Sequence, residues 1–237
     1  FASKIFVFCV ILWAERAKAF RSSDPMETLY GKTPEELAAV CAGEGMPRFA
    51  ARQIARWLYR RHEERPEAMT DLAAAHRVRL AARFAPALSA PVRVDVSADG
   101  TRKYLFRTPE GDFIESAYIP DGERATLCVS SQAGCRMGCR FCATGRQGLS
   151  RSLTAAAILN QIVSLPERDR LTNVVFMGMG EPLDNLDEVL RALSVLTSEW
   201  GFGWSPTRIT VSTAGVLPAL PRFLAETKVH LAVSLHN

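Results

Sequence analysis

Three cysteines within one short stretch, Cys135-Arg-Met-Gly-Cys139-Arg-Phe-Cys142, constrain this chain more than any other feature. Thiolates are the ligands that iron–sulfur clusters use, and three of them on a four-iron cube leave one iron open to a second ligand. A zinc knuckle and inert buried thiols are the competing readings. Structural zinc takes four ligands, and His62 and His76 lie far upstream without zinc-finger spacing. Gly138 and the run Ala143, Thr144, Gly145 predict a loop here rather than a helix, so that three sulfurs can turn toward one object.

With an aromatic before its last cysteine, CxxxCxxC resembles the cluster loop of radical S-adenosylmethionine (SAM) enzymes. Its flanks, Thr126-Leu-Cys-Val-Ser-Ser-Gln-Ala-Gly before it and Ala143-Thr-Gly-Arg-Gln-Gly-Leu-Ser-Arg after it, are similar to the RlmN family, which methylates carbon 2 of an adenine in RNA. The likeness runs from about Met26 to the last residue. It implies a 4Fe-4S cluster on Cys135, Cys139 and Cys142, and SAM as the second cofactor. It further implies 23S rRNA and tRNA as substrates, the tRNA at the adenosine beside the anticodon. An electron donor such as flavodoxin or ferredoxin and a monomeric enzyme are also expected. Relatives that methylate carbon 8 share nearly every motif, and a non-catalytic, metal-stabilised RNA-binding protein is the reading from a different class.

The net charge of +4 is too small to argue for RNA by itself, so a local basic patch is needed. Helix spacing supplies one: Arg48, Arg52, Arg56 and Arg60 fall every fourth residue on a helix expected from Pro47 to about His62, with Ile54, Trp57 and Leu58 on its buried side. A solvated basic face is the plainer reading. Arginine favours phosphate because its planar fork engages two oxygens at once. Six cysteines in a chain of 237 residues are no secreted disulfide framework, and a thiolate cluster needs a reducing compartment, so the cytoplasm is expected. Ile5 to Trp13, after Lys4 and before Ala17-Lys18-Ala19, mimics a signal peptide but is too short to span a bilayer, and no membrane partner is expected.

Periodicity divides the chain into a helical unit over 26–88, a β-rich segment over 89–123 and an α/β part over 124–237; the resemblance implies that the helical unit binds RNA and, since it starts near Met26, that 1–25 is an extension outside the fold. In the helical unit, Thr33 should cap a helix from Pro34 to Cys41, and a third helix should run from about Asp71 to Phe84. The middle segment alternates apolar and polar residues from Val92, with turns at Asp99-Gly100 and Glu110-Gly111. After that, strand and helix alternate: strands at Ala125–Ser130, Asn173–Met177, Arg208–Ser212 and Val229–Leu235, helices at Thr154–Leu165, Leu186–Leu196 and Pro218–Ala225. Both faces of these strands read as apolar, as parallel strands covered by helices require. The fold class is therefore α/β, behind a helical domain and a short antiparallel segment, and the resemblance implies that these four strands are part of a partial (βα)6 radical SAM barrel.

Loops after the C-terminal ends of parallel strands carry chemistry. Gly178-Met-Gly-Glu-Pro182 follows the second strand and resembles the family's SAM motif, with Gly180 allowing close backbone approach and Glu181 free to meet an ammonium. Ser212 at the end of strand three, and Ser234, Leu235 and His236 at the end of strand four, resemble further SAM contacts. Cys128 alone would read as a small buried hydrophobe and Glu115 as an exposed strand residue. The resemblance makes Cys128 the thiol that resolves a covalent protein–RNA intermediate through a transient disulfide, and Glu115 the proton acceptor. A ring carbon between two nitrogens is too electron-poor to attack SAM as a nucleophile, which is why the family uses a radical route through a methylated cysteine. That methyl-carrying cysteine is expected downstream of Asn237, with two further βα units, so this stretch alone is expected to be inactive and the function belongs to a longer parent.

Overall fold

A computed structural model describes residues 27–235; the expectations for 1–25 and His236 lie outside the described residues. Three helices come first: α1 Pro34–Gly43, α2 Ala50–Arg60 and α3 Ala74–Arg83. The first starts where the sequence says it should. Thr33 accepts from the Glu36 amide at 3.3 Å while the Glu36 carboxylate accepts from the Thr33 amide at 2.8 Å, a reciprocal cap worth about 1 kcal/mol, and Pro34 supplies a first-turn φ. Ile54, Trp57 and Leu58 of α2 face the core.

Four antiparallel strands follow, β1 Arg93–Val96, β2 Arg102–Arg107, β3 Phe113–Asp121 and β4 Arg124–Cys128. Next come β5 Gln132–Gly134, α4 Ala143–Gln147 and β6 Leu149–Ser152, with β5 and β6 forming a separate two-stranded ribbon. The remainder alternates: α5 Ala155–Val163, β7 Asn173–Phe176, α6 Leu186–Thr197, β8 Ile209–Thr213, α7 Leu220–Glu226 and β9 His230–Val233. The main sheet has the order β1-β2-β3-β4-β7-β8-β9, antiparallel as far as β4 and parallel from β4 to β9. So β4 belongs to both halves, and the meander and the partial barrel share one continuous sheet.

The two faces of that sheet differ, and here the sequence expectation is corrected. On one face Tyr104, Phe106, Ile114, Tyr118, Leu127, Val174, Phe176, Ile209 and Val211 are buried, in one core with Ile158, Leu159, Val189 and Leu193 of α5 and α6. On the other face Lys103, Ala117, Cys128, Val175, Thr210 and His230 lie in one row across the strands, and none of them is fully buried. Apolar residues occur on both faces, but helices cover only one; the other is the inner wall of the partial barrel.

The helical unit seats on α5 and α6. Tyr59 donates to the Lys32 carbonyl at 2.6 Å and packs edge-on against Trp200 at 5.6 Å, and Glu36 pairs with Arg191. Gly31, at φ +89°, passes so near α5 that a Cβ there would lie 2.8 Å from the Ala156 nitrogen. The linker is fixed as well, because Asn160 accepts from the Ser89 amide at 2.8 Å and Glu64 from those of Ala87 and Leu88.

Candidate active site at the strand ends

On the inner face, Cys128 pairs directly with Ala117, and Glu115 lies two residues before Ala117 in β3, on the same face. Because β3 runs antiparallel, Glu115 sits further toward the C-terminal ends of the parallel strands, beside Ser130. Lys103 holds Glu115 Oε1 at 3.0 Å. Desolvation pushes the Cys128 thiol up to about 11, against a hydrogen bond with the Met177 backbone that acts the other way. The thiol is therefore stored protonated at neutral pH.

One buried serine ties the surrounding segments together. Ser130 Oγ donates to the Glu115 carbonyl at 2.5 Å and accepts from the Met179 amide at 2.9 Å. Its amide donates to Gln161 of α5 at 2.8 Å, and its carbonyl accepts from the same side chain at 2.9 Å. Gln132 repeats the pattern two residues on, accepting from the Glu181 amide at 2.9 Å and donating to Asp184 at 2.8 Å. Asn185 donates to the carbonyls of Ser131 and Leu153. Sequence reasoning assigned no role to Ser130, Gln132, Gln161 or Asn185. For Ser130 and Gln132 the one signal was a run of polar residues, Ser130-Ser131-Gln132, at a strand end.

The cysteine loop grows from the β5–β6 ribbon. Gly134, at φ +77°, is forced: a Cβ would fall 1.9 Å from the Gly148 carbonyl oxygen. Gly138, at φ +64°, reverses the chain between the first two cysteines, as expected. The expectation of a loop at Ala143, Thr144 and Gly145 is corrected, because these residues begin α4 with Cys142 as its cap residue. The reason is steric. Gly145 crosses the Cys139 backbone so closely that a Cβ would meet its nitrogen at 3.0 Å, and that crossing returns the chain to β6.

All five described cysteines are free, Cys135 buried and Cys139 and Cys142 half-buried. Burial first, and then the nearby Cys142, Glu181 and Cys139, push the Cys135 thiol up, so the three sulfurs and Glu181 share one electrostatic neighbourhood. Among the described residues no trio of His, Cys, Asp or Glu closes to single-ion distances. The donor set of three thiols without histidine suits a sulfur-bridged iron cluster, an object larger than one ion.

The Gly178–Pro182 loop is packed onto this frame. A Cβ at Gly178 would lie 2.7 Å from the Val129 carbonyl oxygen, and one at Gly180, which is at φ +96°, 2.5 Å from the Gln132 Cβ. Glu181 is only 4% exposed, and its two oxygens accept from the Leu183 amide at 3.0 Å and the Ala214 amide at 2.8 Å. It therefore braces the loops after β7 and β8 while keeping lone pairs for a ligand cation. Ser212 and Ser234 meet at 3.2 Å between their hydroxyls, while Leu235 is exposed.

The arginine stripe divides. Arg52, Arg56 and Arg60 lie on α2 and Arg48 in the turn before it, all exposed. Arg56 pairs with Asp71 at 2.6 Å, and Arg60 donates to the carbonyls of Glu199 and Phe202 beyond α6. Arg48 and Arg52 have no such partner among the described residues.

A partial parallel barrel whose first strand leads into a three-cysteine loop defines a class, and the comparisons agree with it. The family model for the radical SAM superfamily matches residues 129–237, and membership implies a 4Fe-4S cluster and SAM. A second family model, the ribosomal RNA large subunit methyltransferase N-terminal domain, matches residues 28–85. The crystal structure of a radical SAM methyltransferase from Sphaerobacter thermophilus is similar at a TM-score of 0.80 and 44% identity, over 89% of this chain and 64% of that one. A probable dual-specificity RNA methyltransferase RlmN from Phocaeicola vulgatus is 56% identical over 213 residues, 90% of this chain and 61% of that protein. The dual-specificity RNA methyltransferase RlmN of Halorhodospira halophila is 48% identical over 92% of this chain and 61% of its own length. The chain belongs to the RlmN family of the radical SAM superfamily. It spans about 61% of the length of these relatives.

Proposed function

We propose that the parent-length protein methylates carbon 2 of adenine in 23S rRNA and in tRNA, at the adenosine next to the anticodon. The relatives, named as dual-specificity RNA methyltransferases, support this reading. The observation that carries the reading is local: Glu115 and Cys128 share the inner face of adjacent strands, two residues apart in register, at the strand ends from which the thiol loop departs. The cluster and SAM, when bound, supply the one-electron chemistry that activates a methyl group toward an electron-poor ring carbon. The chain's own residues do the rest. Glu115 Oε2, the oxygen not paired with Lys103, takes the ring proton, and Lys103 steadies the carboxylate. Cys128 keeps its proton until the covalent intermediate needs a resolving thiol, then frees the product by forming a disulfide with the methyl-carrying cysteine. Glu181, Ser212 and Ser234 would hold SAM, with Gly180, Leu235 and His236 as further contacts of the same cofactor. Arg48 and Arg52 meet RNA phosphates. The free thiols fit a reducing compartment, the cytoplasm, where a flavodoxin or ferredoxin would supply electrons to a monomeric enzyme. Mass spectrometry of adenosines from cells carrying the parent-length protein tests this. Methyl groups on carbon 2 are expected, and methyl groups on carbon 8 alone would overturn it.

A further inference from the structure

At the opposite end of the sheet, where β7 and β8 begin, the helical unit and the barrel line an open cavity of about 270 Å³. Its walls are of two kinds. His62, Phe202 and Trp204 form an edge-to-face chain, with centroids 5.0 and 5.8 Å apart. Arg60, Arg168 and Arg208 line it too, beside Asp169 and a few apolar side chains, and Arg208 stacks over the Trp204 ring at 4.3 Å. Each guanidinium already donates to backbone carbonyls: Arg60 to Glu199 and Phe202, Arg168 to Val163, Arg208 to Leu171 and Thr172. Those bonds take a minority of the five donors of each fork. Of the three, only Arg168 has a carboxylate neighbour, Asp169 at 3.6 Å, which is itself largely exposed. Positive charge is therefore left over around an aromatic-walled space.

His62 adds an independent sign. Its positive φ of +52° is accounted for by the end of α2, since it follows the cap residue Arg61 and closes the helix there. Its Nδ1, however, is enclosed without a hydrogen-bond partner, which is costly unless something fills that role. Burial, with the nearby Arg168, holds this imidazole in its neutral form, so one ring nitrogen is an acceptor.

We infer that this cavity binds a nucleotide unit, its base against His62, Phe202 and Trp204 and its phosphate on Arg168 and Arg208. Aromatic faces accept any base, and the planar guanidinium fork matches phosphate. The unit can come from single-stranded RNA reaching past α2, or from a free nucleotide; only the first source rests on the proposed RNA activity.

Titration calorimetry with adenosine monophosphate, inorganic phosphate and a short oligoadenylate tests this. Saturable binding of adenosine monophosphate, tighter than that of phosphate, is expected. Arg168→Gln and Trp204→Leu should each weaken it roughly tenfold, the loss of one charge-assisted hydrogen bond or one stacking face. Trp204→Phe, which keeps the stacking face, should retain most of the affinity, and thermal melting of each variant separates a lost site from a lost fold. Competition between adenosine monophosphate and oligoadenylate identifies RNA as the source; saturable binding without competition identifies a free nucleotide. Absence of saturable adenosine monophosphate binding, or binding unchanged in folded Arg168→Gln and Trp204→Leu, overturns the inference. Neither result bears on carbon-2 methylation, which is read from RNA.

Discussion

The two faces of the seven-stranded sheet are made by the same strands and do opposite work. On the helix-covered face Leu127, Val174, Ile209 and Val211 are fully buried, each contributing about 1.5–3 kcal/mol by leaving water. On the inner face, one residue along each strand, Cys128, Val175, Thr210 and Ser212 keep partial exposure, and the groups with chemistry gather at the C-terminal ends. Alternation along a strand thus separates what holds the sheet from what the sheet holds. The covered face can be rigid because the inner one is spared packing duty, so its polar groups are oriented by their own hydrogen bonds.

Breaking the covered face should have the largest effect. Phe176→Ala, at a side chain 1% exposed, should cost about 3–5 kcal/mol in denaturant unfolding, whereas Ser212→Ala on the inner face should stay within about 1 kcal/mol. Equal losses would erase the distinction.

The knots that join the faces come next. Ser130→Ala leaves the Met179 amide without its acceptor and removes the donor to the Glu115 carbonyl, so about 1–3 kcal/mol should be lost. Glu181→Gln offers a donor group where two backbone amides need acceptors, and should lower the melting temperature by a similar free energy.

A smaller effect concerns Cys128. Its pKa in the folded state, about 11, stands above the ordinary thiol value, so folding favours the protonated form. The sign follows: below the ordinary thiol pKa both states are protonated and nothing is lost, and stability falls as pH rises from there toward about 11. Iodoacetamide should label Cys128 slowly at pH 7.5 and faster as pH approaches 11, read by peptide mass spectrometry. Fast labelling near neutrality would contradict the stored-thiol picture.

The arginines of α2 give the smallest stability effect and a clear functional one. Arg48→Gln with Arg52→Gln should leave melting unchanged within about 0.5 kcal/mol, yet weaken RNA binding and reduce its salt slope by up to about 2. Arg60→Gln should instead loosen the seat of the helical unit on the barrel.

These divisions mark where sequence reading stops. Periods of two and four revealed the strands, α2 and the Thr33 cap, because such signals are local. Which face of β4 and β7 would stay open was illegible, since Val175 looks as apolar as Val174. Arg56 and Arg60 look alike in the stripe, but their partners are 15 and 142 residues away. Ser130 is silent for the same reason, meeting Glu115 and Met179 across 15 and 49 residues. The cysteine spacing and the Gly178–Pro182 motif were legible because close backbone approach demands glycine at fixed places, as Gly134, Gly178 and Gly180 demonstrate.

The claim that the inner face carries the reaction is tested most directly by Glu115→Gln and Cys128→Ala in the parent-length protein, with carbon-2 methyladenine in cellular RNA as the readout and melting as the control. Both variants should melt within about 1 kcal/mol of the original and leave RNA without that methyl group. Full methylation by either folded variant would contradict the account.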